Sequence, residues 1–204
     1  MAQVFEDNGS GVRGDLKAVV HAILTDPEAR AGDTQSDATQ PTFGHMREPV
    51  LFVANLLRGL GGTISTTSNV AAAATNLGQQ LFFAPSVFSY FSPSYRTQLG
   101  LVAPEFQIYS TQTAANRADT VYSILYTGKL DAGTTFDISA FTAAAAVGQG
   151  MLLDLINSVF FHGDMSSNLS NAISQALQPL TLASDKAKAA LYVALTSSEY
   201  QIIH

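Results

Sequence analysis

The chain has 204 residues, and its ten Lys and Arg against sixteen Asp and Glu give a formal net charge of −6. It contains no cysteine, which excludes disulfide scaffolds, thiolate zinc sites and cysteine nucleophiles. An acidic chain without a basic run is a poor partner for the phosphate backbone of nucleic acids, so we predict no nucleic-acid binding. No apolar run reaches the roughly 18 residues that span a bilayer.

Apolar residues at helical spacing predict helices along most of the chain. In chain order, the predicted helices cover residues 15–24, 47–60, 69–80, 104–126, 148–161, 166–180 and 184–196, followed by a last short turn at 196–199. The intervening segments 31–42, 63–69 and 131–138 are polar and are predicted loops. We therefore predict an all-α fold, a single domain over 1–204 with roughly eight helices and long polar loops.

Residues 82–95 are rich in aromatic side chains and are interrupted by Pro85 and Pro93. We predict that this irregular segment docks into the helical core. The alternative is an exposed apolar surface for a ligand or a partner, in which case self-association would depend on Phe88 and Phe91.

A polar stripe on the predicted helix 148–161 suggests two interpretations. Asp154, Asn157 and Ser158 lie at helical spacing, and His162 follows one turn later. A serine in the middle of a helix lacks the exposed turn and oxyanion amides of a nucleophile, which favours polar groups that bond to a neighbouring helix. The alternative is a hydrolase of esters or lactones that activates water with His162, Asp164 and Asp154 as acid and base.

Two Asp-containing loops are candidate calcium sites because oxygen ligands suit this hard cation. One loop carries Asp33 and Asp37, and the other carries Asp131 and Asp137. Neither follows the order of an EF-hand, and solvated loops are the alternative. The four histidines lack the spacing of a zinc helix.

Two further motifs receive structural interpretations. Gly9, Gly11 and Gly14 match a dinucleotide-binding fingerprint, but that site needs a preceding strand, so we predict a Gly-rich loop that leads into a helix. Arg47, Glu48 and Arg58 lie at or on the predicted helix 47–60. We predict that they form a polar anchor between helices, because Arg suits buried pairing.

Several strings in a fixed order resemble one family. They are 7–20 (DNGSGVRGDLKAVV), 46–50 (MREPV), 84–88 (APSVF), 100–106 (GLVAPEF), 162–166 (HGDMS) and 195–200 (LTSSEY). Together they resemble the C-terminal portion of the bacterial domain-of-unknown-function 1800 family. His45 and Met46 depart from the Lys-Leu that the family has before Arg-Glu.

The resemblance implies a mostly helical fragment of a longer, exported parent protein, and it implies no catalytic residues. The chain itself carries acidic Glu6 and Asp7 where a signal peptide would be basic, so we expect no export signal in it. The predicted role is a structural or ligand-binding module, with calcium as a candidate cofactor. In a fragment, an uncovered apolar face of the helix 148–161 would favour a homodimer.

Overall fold

The computed structural model describes residues 1–27, 29–30 and 44–203. The described residues up to Gly44 belong to one compact unit, and residues 45–203 form a second. The described part contains ten α-helices and four strands of two residues each. The prediction of a helical fold is therefore confirmed, and the only addition is two small antiparallel ribbons.

The described residues of the first unit form two helices and a tight loop. Helix α1 spans Ala2–Glu6 and helix α2 spans Leu16–Leu24, and the Asp15 side chain accepts a hydrogen bond from the Ala18 amide to cap α2. In the loop, Asp7 Oδ1 accepts hydrogen bonds from the amides of Gly9 and Gly11, each 2.8 Å long. The Gly-rich segment thus follows a helix and not a strand, and two of its amides are already bonded.

The second unit contains the remaining helices and all four strands. The helices are α3 (Pro49–Gly59), α4 (Val70–Asn76), α5 (Thr111–Thr127), α6 (Ser139–Val147), α7 (Gln149–Phe160), α8 (Ser167–Leu177), α9 (Ala183–Thr196) and α10 (Ser198–Gln201). Strand β1 (His45–Met46) pairs with β4 (Ile202–Ile203), and β2 (Thr63–Ile64) pairs with β3 (Thr134–Thr135). None of the described helices combines the length and apolar character that crossing a bilayer requires.

One predicted helix is divided in the structure, and one helix was not predicted. The predicted helix 104–126 is a 3-10 turn at Pro104–Ile108 followed by α5. Ser110 and Thr113 separate the two by forming a capping box, in which each side chain bonds the other residue's amide. The Ala-rich residues of α6 form a helix that the sequence analysis did not assign, and Gly148 alone separates it from α7.

Helix α9 is the centre of the core because it contacts α5, α6, α7 and α8. Its buried face carries three alanines and two leucines, and the small side chains let the neighbouring helices approach closely. The buried side chains on α9 are Ala187, Ala190, Leu191, Ala194 and Leu195.

The apolar face of α7 is covered within the chain. Leu152, Ile156 and Phe160 are buried, and α7 contacts α3, α6 and α9. The face that we expected to be open is therefore occupied within the chain, and the homodimer stays a prediction.

We expect Leu191→Ala to lower the free energy of unfolding by about 2–5 kcal/mol, because it leaves a cavity where a fully buried side chain packed. Leu182→Ala is the control, since Leu182 is 62% exposed, and its change should stay within about 0.5 kcal/mol. Urea unfolding followed by circular dichroism measures both. Equal stabilities for the two variants would contradict the central position of α9.

Candidate functional site

The predicted catalytic residues lie on the surface of α7 and of the turn that follows it. Asp154, His162 and Asp164 are all exposed. His162 has a left-handed backbone with φ of 55°, which turns the chain after the helix. The hydrogen bonds that hold this turn come from Asn157, whose side chain donates to Gly163 O at 3.2 Å and accepts from the Met165 amide at 2.9 Å.

The polar stripe of α7 does not bond to a neighbouring helix as we predicted. Ser158 and Asp154 are exposed, and Asn157 bonds the turn directly after its own helix. The reason is that the buried face of α7 is entirely apolar. The assignment of acid and base roles to His162, Asp164 and Asp154 stays a prediction.

Two of the four candidate calcium ligands can be placed. Asp33 and Asp37 lie outside the described residues. Asp137 accepts a hydrogen bond from the Ser139 amide at 2.8 Å, next to the start of α6. Within the described part of the chain, no group of three His, Asp or Glu side chains is arranged to hold a metal ion. The calcium site stays a prediction.

Two of the three residues predicted as a polar anchor, Arg47 and Glu48, form hydrogen bonds to distant parts of the chain. Arg47 is buried, and its Nε donates to Tyr200 O at 3.0 Å, while Glu48 accepts a hydrogen bond from Gln79 Nε2. Arg58 is exposed in the last turn of α3, outside this network.

Arg117 on α5 is the member that sequence reasoning missed. It is only 3% exposed, and it donates to Gln201 Oε1 at 2.7 Å and to Arg47 O at 2.9 Å. Its guanidinium lies 5.0 Å from the ring centre of Phe52 and 5.2 Å from that of Tyr109. A single Arg in a polar helical stretch looks like a surface residue, so the sequence contained no signal for its burial.

Burial shifts the pKa values of the side chains in this network. It lowers the pKa of Arg117 to about 10, against the opposing effect of Tyr109 and with a smaller contribution from Arg47. Burial also raises the pKa of the Tyr200 hydroxyl, which donates to Asn55 Oδ1 at 3.0 Å. Arg117 is therefore still charged at neutral pH, and its charge is stabilised by carbonyl oxygens and aromatic rings.

Asp131 joins two loops at the start of α4. Its Oδ2 accepts from the Ser68 hydroxyl at 2.9 Å and from the Asn69 amide at 2.6 Å, and its Oδ1 accepts from the Gly133 amide at 2.7 Å. Gly133 is required here because a Cβ would lie 2.3 Å from the Ser68 nitrogen.

These bonds keep the Asp131 carboxylate ionised. Burial acts to raise its pKa, but the hydrogen bonds from Asn69, Ser68 and Gly133 outweigh burial and lower the pKa below its ordinary value. Asp131 therefore stabilises the fold fully at pH values above the ordinary carboxyl pKa. This stabilisation is lost as the pH falls through the lowered pKa of Asp131 in the folded chain.

A groove of about 380 Å³ lies between α4 and α5, with Asp131 at its edge. Its polar lining consists of Asn69, Asn76, Asn116, Asp119, Thr120 and Ser123. Ala72, Ala73 and Leu130 form its apolar part, and none of its lining residues is Lys or Arg. Asn116 Nδ2 donates to Asn76 O at 2.8 Å, which ties the end of α4 to α5.

A match to a protein-family model shows the family of this chain. The family model described as "Protein of unknown function (DUF1800)" matches residues 1–202. The chain belongs to the DUF1800 family. No curated protein and no solved structure matches it. The resemblance noted in the sequence is thereby confirmed, whereas the C-terminal position in a longer protein and the export of that parent stay predictions.

The aromatic segment of this DUF1800 chain does not dock into the core, so that prediction was wrong. Phe82, Phe83 and Phe88 are exposed, and Phe82 is 96% exposed. The reason lies in the backbone of this segment, where Phe82 and Ser89 have positive φ. A β-bridge between Ser86 and Ser89 closes a tight turn with Val87 and Phe88 at its tip. Tyr90, Phe91 and Tyr95 are half-buried.

We expect Arg117→Lys to lower the free energy of unfolding by about 1–3 kcal/mol. The lysine keeps the charge but loses the planar fork, so one of the buried oxygens of Gln201 and Arg47 loses its donor. Arg58→Lys is the matched control, because Arg58 is exposed, and it should change stability by less than about 0.5 kcal/mol. Chemical unfolding measures both, and a stable Arg117→Lys variant would show that the network does not hold the fold.

Proposed function

We propose that this DUF1800 chain is a ligand-binding module, and that the groove between α4 and α5 holds a small organic cation with a short hydrocarbon body. The observation that carries the proposal is the composition of the groove, which combines carboxylates and amides with an apolar strip and has no cationic side chain. Its volume of about 380 Å³ lies in the range typical of small-molecule sites.

The charges of the groove favour a cation. Asp131 is ionised at neutral pH, and its hydrogen bonds hold its pKa below the ordinary carboxyl value. Asp119 adds a second carboxylate to the lining. An anion placed in the groove would meet two like charges and no Lys or Arg among the lining residues.

The apolar part of the groove favours a hydrocarbon body between the charged groups. Ala72, Ala73 and Leu130 offer contacts to methylene groups, and the amide oxygens of Asn69 and Asn76 offer acceptors for N–H donors. A short aliphatic diamine satisfies both conditions, so we take putrescine as the probe.

We expect putrescine to raise the midpoint of thermal unfolding in a concentration-dependent way, because a ligand that binds only the native state stabilises it. Ala72→Phe should abolish this rise by filling the groove, since Ala72 lines it. Ala71→Phe is the matched control: Ala71 is exposed on the same helix outside the lining, and the rise should persist. Differential scanning calorimetry measures all three proteins.

The same measurement with other ligands distinguishes a cation site from a site for neutral molecules, anions or calcium. Glucose and citrate serve as neutral and anionic probes, and calcium alone tests the predicted metal site. A rise with citrate or calcium and none with putrescine would contradict the proposal. A putrescine effect that survives in Ala72→Phe would show that the diamine binds elsewhere.

A further inference from the structure

Arg47 carries hydrogen-bond donors that no described residue uses. Its Nε donates to Tyr200 O at 3.0 Å, whereas neither of its two Nη groups donates to a residue that the structure describes. The side chain is only 8% exposed. Among the described side chains, the enclosed polar atoms without a partner are Thr97 Oγ1 and Arg117 Nε, so solvent reaches the Arg47 Nη groups. The end of this guanidinium can therefore donate to a ligand while the rest of the side chain is held in place.

Arg117 places a second positive charge beside Arg47, and we call these two residues the arginine pair. Arg117 Nη2 donates to Arg47 O at 2.9 Å, and Arg117 Nη1 donates to Gln201 Oε1 at 2.7 Å. Burial lowers the pKa of Arg117, and the positive charge of Arg47 lowers it further, so the two charges act on each other. Two cations thus lie together in a largely buried part of the 45–203 unit.

No carboxylate in the described part of the chain neutralises the arginine pair. The acidic groups that act on the pKa values of Arg47 and Arg117 are the phenols of Tyr109 and Tyr200, and no Asp or Glu is among them. Protonated phenols carry no charge. The carboxylate of Glu48, which is next to Arg47 in the sequence, accepts a hydrogen bond from a glutamine side chain instead. Buried charges are usually paired, so this cluster favours an anion.

The geometry of the donors favours a carboxylate among anions. The two Nη groups of a guanidinium lie in one plane and match the two oxygens of a carboxylate. The guanidinium carbon of Arg47 lies 4.5 Å from the ring centre of Tyr200, and this contact holds the side chain in position. Because Arg47 is only 8% exposed, the opening is narrow and suits a flat group better than a tetrahedral one. A cationic ligand would meet two like charges here.

We propose that Arg47 binds the carboxylate of a small organic acid through its two Nη groups, and that Arg117 strengthens this attraction as a second charge behind it. Neither arginine lines the α4–α5 groove. The carboxylate site and the proposed diamine site can therefore fail independently of each other.

Formate is the probe because it is the smallest carboxylate. We expect sodium formate to raise the midpoint of thermal unfolding saturably, and above the effect of sodium chloride at the same ionic strength. Arg47→Lys keeps the charge but loses the planar fork, so the dissociation constant of formate should rise about tenfold or more. Arg58→Lys is the matched control, because Arg58 is exposed outside the pair, and its formate effect should equal that of the wild type. Differential scanning calorimetry measures all three proteins.

A second measurement uses the unaltered chain and so does not depend on the folding of a variant. In ¹H–¹⁵N spectra, formate should shift the side-chain Nε–H resonances of Arg47 and Arg117 saturably and leave those of the exposed Arg58 and Arg96 unchanged. Shifts at the exposed arginines alone would overturn the proposal.

Three calorimetric results would also overturn it. The first is a midpoint that rises no more with formate than with chloride. The second is an equal formate effect in Arg47→Lys and Arg58→Lys. The third is a rise with sodium phosphate in the absence of any rise with formate, which would assign the arginine pair to a tetrahedral anion.

Discussion

Two buried guanidinium groups tie three separate parts of the 45–203 unit to one another. Arg47 follows β1 and bonds Tyr200 O, and Arg117 on α5 bonds both Arg47 O and the Gln201 side chain. Moving a charge out of water costs several kcal/mol, so such groups are tolerated only where hydrogen bonds and aromatic rings compensate for lost hydration. The ring of Tyr200, 4.5 Å from the Arg47 guanidinium, packs in turn against Phe52 and Phe160. The charged network and the apolar core are thus joined at Tyr200.

The burial of Arg117 on helix α5 also determines which side of this helix faces the groove. Arg117, Val121 and Ile124 lie on its buried face, at the spacing of one helical stripe. A second stripe at the same spacing, formed by Asn116, Thr120 and Ser123, lines the groove. Because Arg117 fixes the rotation of α5, it also fixes the direction of the polar stripe. Asp131 fixes the other border by holding the loop before α4, so the groove has an ordered lining before a ligand binds.

Helical periodicity predicted most of the helices because their buried faces are regular, as in α8, where Ser166 caps the helix as expected. It failed where local polar bonds compete with the helix, as at Ser110, and where the segment is rich in alanine, as in α6. The sequence indicated Arg47 and Glu48 as an anchor, but Arg117 and Gln201 are 84 residues apart and no local pattern links them. The groove was missed because its stripe on α5 resembles a solvated helix face. The exposure of Phe82 and Phe88 depends on turn geometry that composition does not encode.

A titration with putrescine, followed through the backbone amide chemical shifts, tests whether the ordered groove between α4 and α5 is a binding site. We expect saturable shifts concentrated at residues 69–76, 116–123 and 130–131, which border the groove. Amides near the exposed turns at 86–89 and 97–101 should not respond. Two results would contradict a binding site in the groove. One is a set of saturable shifts centred outside the groove, and the other is the absence of any shift on addition of putrescine.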